Sequence, residues 1–146
     1  MTPRVEIARM KHMPALLRIL WTFTRKTDWL PVRRSRLTDI RILFTLLREE
    51  RVRMISHAGR PVAFLAREGA RVHALYVHPE ARGLGYGQAL LRDAQRTGWL
   101  ELWTHAANTY ARAFYAKAGF LEVASGNMND ERMPDVQLIW QEGGQA

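Results

Sequence analysis

The chain has 146 residues, 47% of them hydrophobic and 25% charged, which fits one folded domain over 1–146 and excludes a mainly disordered chain. It has no cysteine, which excludes a disulfide framework, a thiol nucleophile and thiolate metal sites. The net charge of +8 is unevenly placed: residues 1–60 hold 14 Lys and Arg against 5 Asp and Glu, and residues 61–146 hold 8 against 9.

No apolar run reaches the ~18 residues of a membrane span, and the first residues show no apolar signal core. A cytoplasmic location without membrane contact is therefore expected. The densest basic run, Arg33-Arg34-Ser35-Arg36, is short. The other arginines recur at helical spacing, so a solvated arginine face is favoured over a nucleic-acid surface.

Residues 4–9 alternate and predict a strand. Met13, Leu16, Leu17, Leu20 and Trp21 recur at three and four, as on an amphipathic helix. Asp28-Trp29-Leu30-Pro31 interrupts the pattern. A second helical stripe follows in Leu37, Ile40, Leu43, Phe44 and Leu47, with Ser35 as its N-cap. Residues 51–57 and 61–67 predict strands joined at Ala58-Gly59, and 71–77 a third. The helix that carries Ala89, Leu90, Leu91 and Ala94 is expected to close at Gly98. A buried strand over 99–104, a helix opening at Asn108 and closing at Gly119, and strands over 120–124 and 135–140 complete the chain. The order is β-α-α-β-β-β-α-β-α-β-β, an α/β (α+β) arrangement with a mixed central sheet of about seven strands and four helices.

Between the strand ending at Val77 and the helix carrying Leu90 lies Arg82-Gly83-Leu84-Gly85-Tyr86-Gly87. Such glycines permit a tight turn and leave backbone N–H groups open. A helix N-terminus adds a positive dipole end, so the segment suits a phosphate or pyrophosphate. A dinucleotide fingerprint would need glycine at 88, where Gln88 stands, and a P-loop would need Gly-Lys-Ser/Thr. What remains is Arg-x-x-Gly-x-Gly, or a glycine-rich turn without a ligand. The other constellation runs from Asn108 through Ala111, Phe114, Tyr115, Lys117 and Gly119 to Phe120. A short amphipathic helix explains its apolar positions but not Asn108 together with a tyrosine one turn before the end.

Together the two segments resemble the GNAT superfamily of acetyl-CoA-dependent N-acetyltransferases. The resemblance covers most of the chain and is strongest over 71–120. It implies a fourth strand that bulges and splays from the fifth, with acetyl-CoA in the opening. Leu75, Tyr76 and Val77 would then offer backbone to the pantetheine, and the amides from Arg82 to Gln88 (Arg82, Gly83, Leu84, Gly85, Tyr86, Gly87 and Gln88) would hold the pyrophosphate. Asn108 would bond the pantetheine or fix the strand opening. Tyr115 stands where the family's general acid stands. The N–H of Val77 would steady the carbonyl oxygen as it gains charge. For the general base the candidates are Glu101, which shares a strand face with Trp103 and His105, and His73, read as sharing a face with Leu75. No metal is expected.

The resemblance further implies direct transfer to a primary amine of a small molecule or a protein. Because the basic half holds the helices that would flank the acceptor, an acceptor with acidic groups is expected. Trp21, Phe23 and Trp29 are candidate pocket walls. A homodimer is left open. A non-catalytic acyl-CoA-binding module is the alternative, and Tyr115 favours the enzyme.

Overall fold

The computed structural model describes residues 3–25, 35–126 and 134–142. Its elements follow the expected order: β1 (Glu6–Ile7), α1 (Met13–Arg25), α2 (Arg36–Arg48), β2 (Val52–His57), β3 (Arg60–Glu68), β4 (Arg71–Val77), α3 (Tyr86–Gln95), β5 (Leu100–His105), α4 (Thr109–Lys117), β6 (Leu121–Gly126) and β7 (Asp135–Trp140). The strands form one sheet in the order β1-β2-β3-β4-β5-β7-β6. Every neighbouring pair is antiparallel except β4 with β5.

Two apolar layers cover the sheet. One contains Leu90 and Leu91 of α3 and Tyr115 of α4, packed on Leu65, Val72, Leu102 and Leu138. The other contains Leu16 and Ile19 of α1 and Leu43 and Leu47 of α2, packed on Met54 and Phe64. Alternation along β2 and β3 sends successive side chains to opposite layers, which is how one sheet supports helices on both sides. The β2–β3 hairpin turns through Ala58 and Gly59, both at positive φ (52° and 79°). This is the left-handed pair that a two-residue loop between twisted strands requires.

Several boundaries differ from expectation. Only Glu6 and Ile7 of residues 4–9 pair with β2. The N–H of Arg9 then bonds the Nδ1 of His12 at 2.8 Å and turns the chain toward α1. On α2 the buried side chains are Asp39, Leu43, Leu46 and Leu47, while Leu37 and Phe44 face solvent. The face is rotated because Asp39 accepts a hydrogen bond from the Trp21 indole at 2.9 Å and must point inward to do so. Ser35 caps α2, accepting from the Thr38 N–H at 3.1 Å. α3 ends at Gln95, three residues before Gly98; Gly98 instead supplies a positive φ of 128° in the loop to β5. Trp99 lies outside β5 and is 52% exposed. Phe120 is buried in the turn before β6.

Candidate functional site

β4 and β5 are paired only at Arg71↔Glu101 and Val72↔Leu102. Beyond that point the two strands have no ladder between them, although β4 remains paired to β3 as far as Val77. The register with β3 shifts where Ala66↔Ala74 is followed by Arg67↔Val72. The extra residue on β4 is His73, a β-bulge that re-aims the strand. The bulge also breaks the alternation: Val72, Leu75 and Val77 pack in the layer of α3, while Ala74 and Tyr76 pack in the layer of α1. His73 and Leu75 therefore cannot be assigned a common face by counting in twos. The His73 imidazole is exposed, with its Nε2 2.8 Å from the Glu68 carboxylate.

The same ladder orients the backbone. The His78 N–H donates to the Val62 carbonyl at 2.8 Å. In an antiparallel pair, residues alternate between pointing both backbone groups at the partner and pointing both away. Tyr76 thus serves β3 with its backbone, and Leu75 and Val77 turn theirs toward the gap. Of Leu75, Tyr76 and Val77, the first and the last thus have backbone groups directed away from β3. Tyr76 offers its ring, which packs 4.9 Å from the Phe23 ring and 5.7 Å from that of Phe64.

Past Val77 the chain makes a short 3-10 turn and enters the glycine loop. Arg82, Gly83, Leu84, Gly85 and Gln88 are exposed, and Tyr86 is half-buried. Gly83 and Gly85 have φ of 79° and 86°, a conformation that L side chains rarely adopt. Gly85 is the N-cap of α3 and places no side chain over the helix end. The first N–H groups of α3, at Tyr86, Gly87 and Gln88, are thus left to an outside acceptor. Gly87 has a different reason: a Cβ there would sit 3.4 Å from the Phe114 ring and 3.5 Å from Val77. α3, α4 and β4 meet at this residue.

Tyr115 is held by the end of α4. The N–H of Phe120 bonds the Tyr115 carbonyl at 3.0 Å, and the N–H of Gly119 bonds that of Ala116 at 3.0 Å. With Gly119 at φ 99° this is a Schellman ending, and its usual apolar contact is the Tyr115–Phe120 ring pair at 5.4 Å. The phenol is buried, and burial, followed by the neighbouring Tyr76 phenol, pushes its pKa well above the ordinary range. Tyr115 is consequently protonated at neutral pH.

Asn108 caps α4, its side-chain oxygen accepting from the Ala111 N–H at 3.1 Å. Arg112 ties α4 to β6 through two 2.8 Å bonds to the Glu122 carboxylate, which hold that carboxyl below its usual range. Replacing Asn108 with Ala is expected to cost about 1 kcal/mol through the lost cap, read as a lower midpoint in a denaturant melt. Asn108→Asp should restore the melt. If the amide also serves the ligand, Asn108→Asp should leave cofactor affinity reduced.

Glu101 lies at the closed end of the gap, and its carboxylate accepts from the Gln137 amide at 3.3 Å. His105 lies at the open end, opposite Asp135 in the β5–β7 register. From the last paired position, three further residues along each strand bring His105 level with the Leu75–Tyr76 region. Glu101 is four residues back, roughly 13 Å along the strand. The side chains of residues 101, 103 and 105 point away from the layer holding Leu100 and Leu102. Tyr115 and His105 therefore lie on opposite faces of the sheet. Strand alternation had already put His105 beside Glu101; its height relative to β4 appears only once the bulge and the pairing are known.

Among the described residues no group of three or more His, Asp and Glu could hold a metal ion, and no helix is long and apolar enough to cross a membrane. Trp21 packs under the Arg36 guanidinium, 4.6 Å from its ring, and Phe23 lies against Tyr76. Trp29, Arg33 and Arg34 lie outside the described residues.

Comparison with known proteins gives the following similarities. A family model described as "Acetyltransferase (GNAT) domain" matches residues 46–122. The peptidyl-lysine N-acetyltransferase YjaB of Salmonella typhimurium is 30% identical over 89 residues, which cover 59% of this chain and 61% of that protein. An uncharacterized N-acetyltransferase of Methanocaldococcus jannaschii is 36% identical over 81 residues, covering 44% of this chain and 36% of that protein. The matched stretches thus span about a third to three fifths of these relatives' own lengths. The solution structure of apo YjaB from Escherichia coli superposes with a TM-score of 0.78 at 23% identity, over 96% of this chain and 98% of that one.

Proposed function

Since the chain belongs to the GNAT family of acetyltransferases, we propose that it transfers the acetyl group of acetyl-CoA directly to a primary amine, the side chain of a protein lysine being the acceptor class. The observation that carries this reading is the gap itself. Leu75 and Val77 turn backbone groups into it, the uncapped start of α3 follows β4 beyond it, and a protonated tyrosine is buried in the layer on the α3 side of the sheet.

In the proposed reaction the thioester carbonyl lies along β4, with its oxygen on a backbone N–H of the Leu75–Val77 segment. The amine nitrogen bonds to the carbonyl carbon, the oxygen gains charge and is stabilised by that N–H, and the C–S bond breaks. The departing thiolate takes the Tyr115 proton. The amine's surplus proton leaves on the opposite face. There His105, level with the reacting segment, is better placed than Glu101, which sits at the closed end, or His73, which is engaged with Glu68. Asp135 stands opposite His105 in the β5–β7 register. The pyrophosphate rests on the amides from Arg82 to Gln88.

The lysine acceptor is supported by the YjaB relative, whose name gives it peptidyl-lysine activity. The charge of the chain adds a context. Arg25 ends α1 two residues after Phe23, which touches Tyr76, and Arg18, Arg41 and Arg48 are exposed on α1 and α2. A rim of one sign concentrates ligands of the other, and salt weakens the effect. Lysine peptides flanked by Asp and Glu should therefore show higher kcat/KM than those flanked by Arg, with an advantage that shrinks as ionic strength rises. Coenzyme A release measured with such peptide sets tests the reading. Absence of turnover with every amine offered, despite tight acetyl-CoA binding, would make the chain a non-catalytic acyl-CoA-binding module.

A further inference from the structure

A groove of about 560 Å³ opens at the other end of the sheet, where β4 and β5 begin. It lies the length of β4, roughly 20 Å, from the glycine loop. Its walls are the start of β2, the end of β3 with the Gly69-Ala70 turn, and the Thr97–Trp99 loop. Five charged side chains line it, and their pairing is uneven. Glu49 closes on Arg51 at 2.8 Å, and Glu50 closes on Arg9 at 3.2 Å.

Arg53 and Arg67 bond to neutral oxygens instead. Arg53 donates to the Glu50 carbonyl at 3.2 Å; Arg67 donates to the Gly69 carbonyl at 3.3 Å and the Thr97 hydroxyl at 2.8 Å. Both are half-buried. Burial, followed by the charge of Arg53, lowers the pKa of the Arg67 guanidinium, against a smaller pull from Asp93. Two like charges sharing one cavity repel, and a bound anion relieves that repulsion. Guanidinium pairs suit phosphate because each offers a flat fork of donors. Trp99 stands on the same wall, 52% exposed, while its neighbour Leu100 is fully buried. An open indole is a stacking surface for a flat ring. The volume falls in the range of small-molecule sites.

We propose that this groove binds a nucleoside phosphate, with the phosphate oxygens between Arg53, Arg67 and the Thr97 hydroxyl and the base over Trp99. The site is separate from the acetyl-CoA cradle and does not depend on the catalytic reading.

The test is a calorimetric titration of the full chain, stripped of bound coenzyme A and then saturated with it, so that the nucleotide portion of coenzyme A already fills its own cradle. ADP is expected to bind at one site, and adenosine and pyrophosphate roughly tenfold or more weaker. Arg53→Gln removes one carbonyl bond and should preserve the thermal melt while lowering ADP affinity about tenfold; Arg53→Lys should restore part of it. Trp99→Ala should weaken ADP several-fold and leave pyrophosphate unchanged. Absence of ADP binding under coenzyme A saturation, or an affinity that Arg53→Gln leaves unchanged, overturns the proposal. A short single-stranded RNA that outcompetes ADP through the same arginines overturns the small-ligand assignment.

Discussion

Replacing Tyr115 with Phe is expected to lower kcat by roughly 10²–10⁴ while the affinity for acetyl-CoA changes little. The substitution removes one hydroxyl and keeps the ring that packs on Phe114 and Phe120, so the Schellman ending of α4 survives. Single-turnover measurements isolate the chemical step; an unchanged rate there would reduce Tyr115 to a wall of the gap. The raised pKa of the phenol adds a pH signature. Its folded-state value lies above the ordinary 10.0, so the proton is held more tightly in the folded chain than in the unfolded one. The stabilising contribution is therefore complete below pH 10.0 and is lost as pH rises above it. The parent protein should lose stability there faster than Tyr115→Phe does. Tyr115 should also impose no alkaline limb on kcat below that pH. His105→Gln should lower kcat/KM, and Glu101→Gln should leave it nearly unchanged.

Acetyl-CoA is expected to stabilise the parent protein by about 2.7 kcal/mol at a hundredfold excess over Kd, and Gly85→Val should abolish that gain. A Cβ at Gly85 meets nothing within 4 Å, so the valine projects from the helix cap into the space over the open α3 amides. The backbone is also strained, because φ there is 86°. Gly59→Val separates the two effects. Gly59 has φ 79° and equally open surroundings in the β2–β3 hairpin. It should lose comparable stability and keep its full thermal shift with acetyl-CoA. If both variants keep the shift, or if the parent stripped of coenzyme A shows none, the pyrophosphate assignment of the glycine loop fails.

The order of elements and the mixed sheet flanked by four helices were legible from the sequence. Periodicities of two and of three to four specify which residues face a core. Glycines at 59, 83, 85 and 119 stand where the backbone takes positive φ, so turn chemistry marked the hairpin, the loop and the end of α4 in advance. Gly98 misled because a glycine marks a left-handed residue without saying whether a helix or a loop needs it.

Three things awaited the tertiary structure. The buried face of α2 turns toward Asp39 because the Trp21 indole, eighteen residues earlier, donates to it. Counting apolar residues cannot show a buried carboxylate. The bulge at His73 breaks the alternation of β4, and a bulge is a property of the pair of strands, not of either one. The heights of Glu101 and His105 beside β4 follow from two paired positions and the gap beyond them. The sequence alone determined which chemical groups lie on β4, β5 and α4; the register between strands, set by packing on both faces, decided which of them meet.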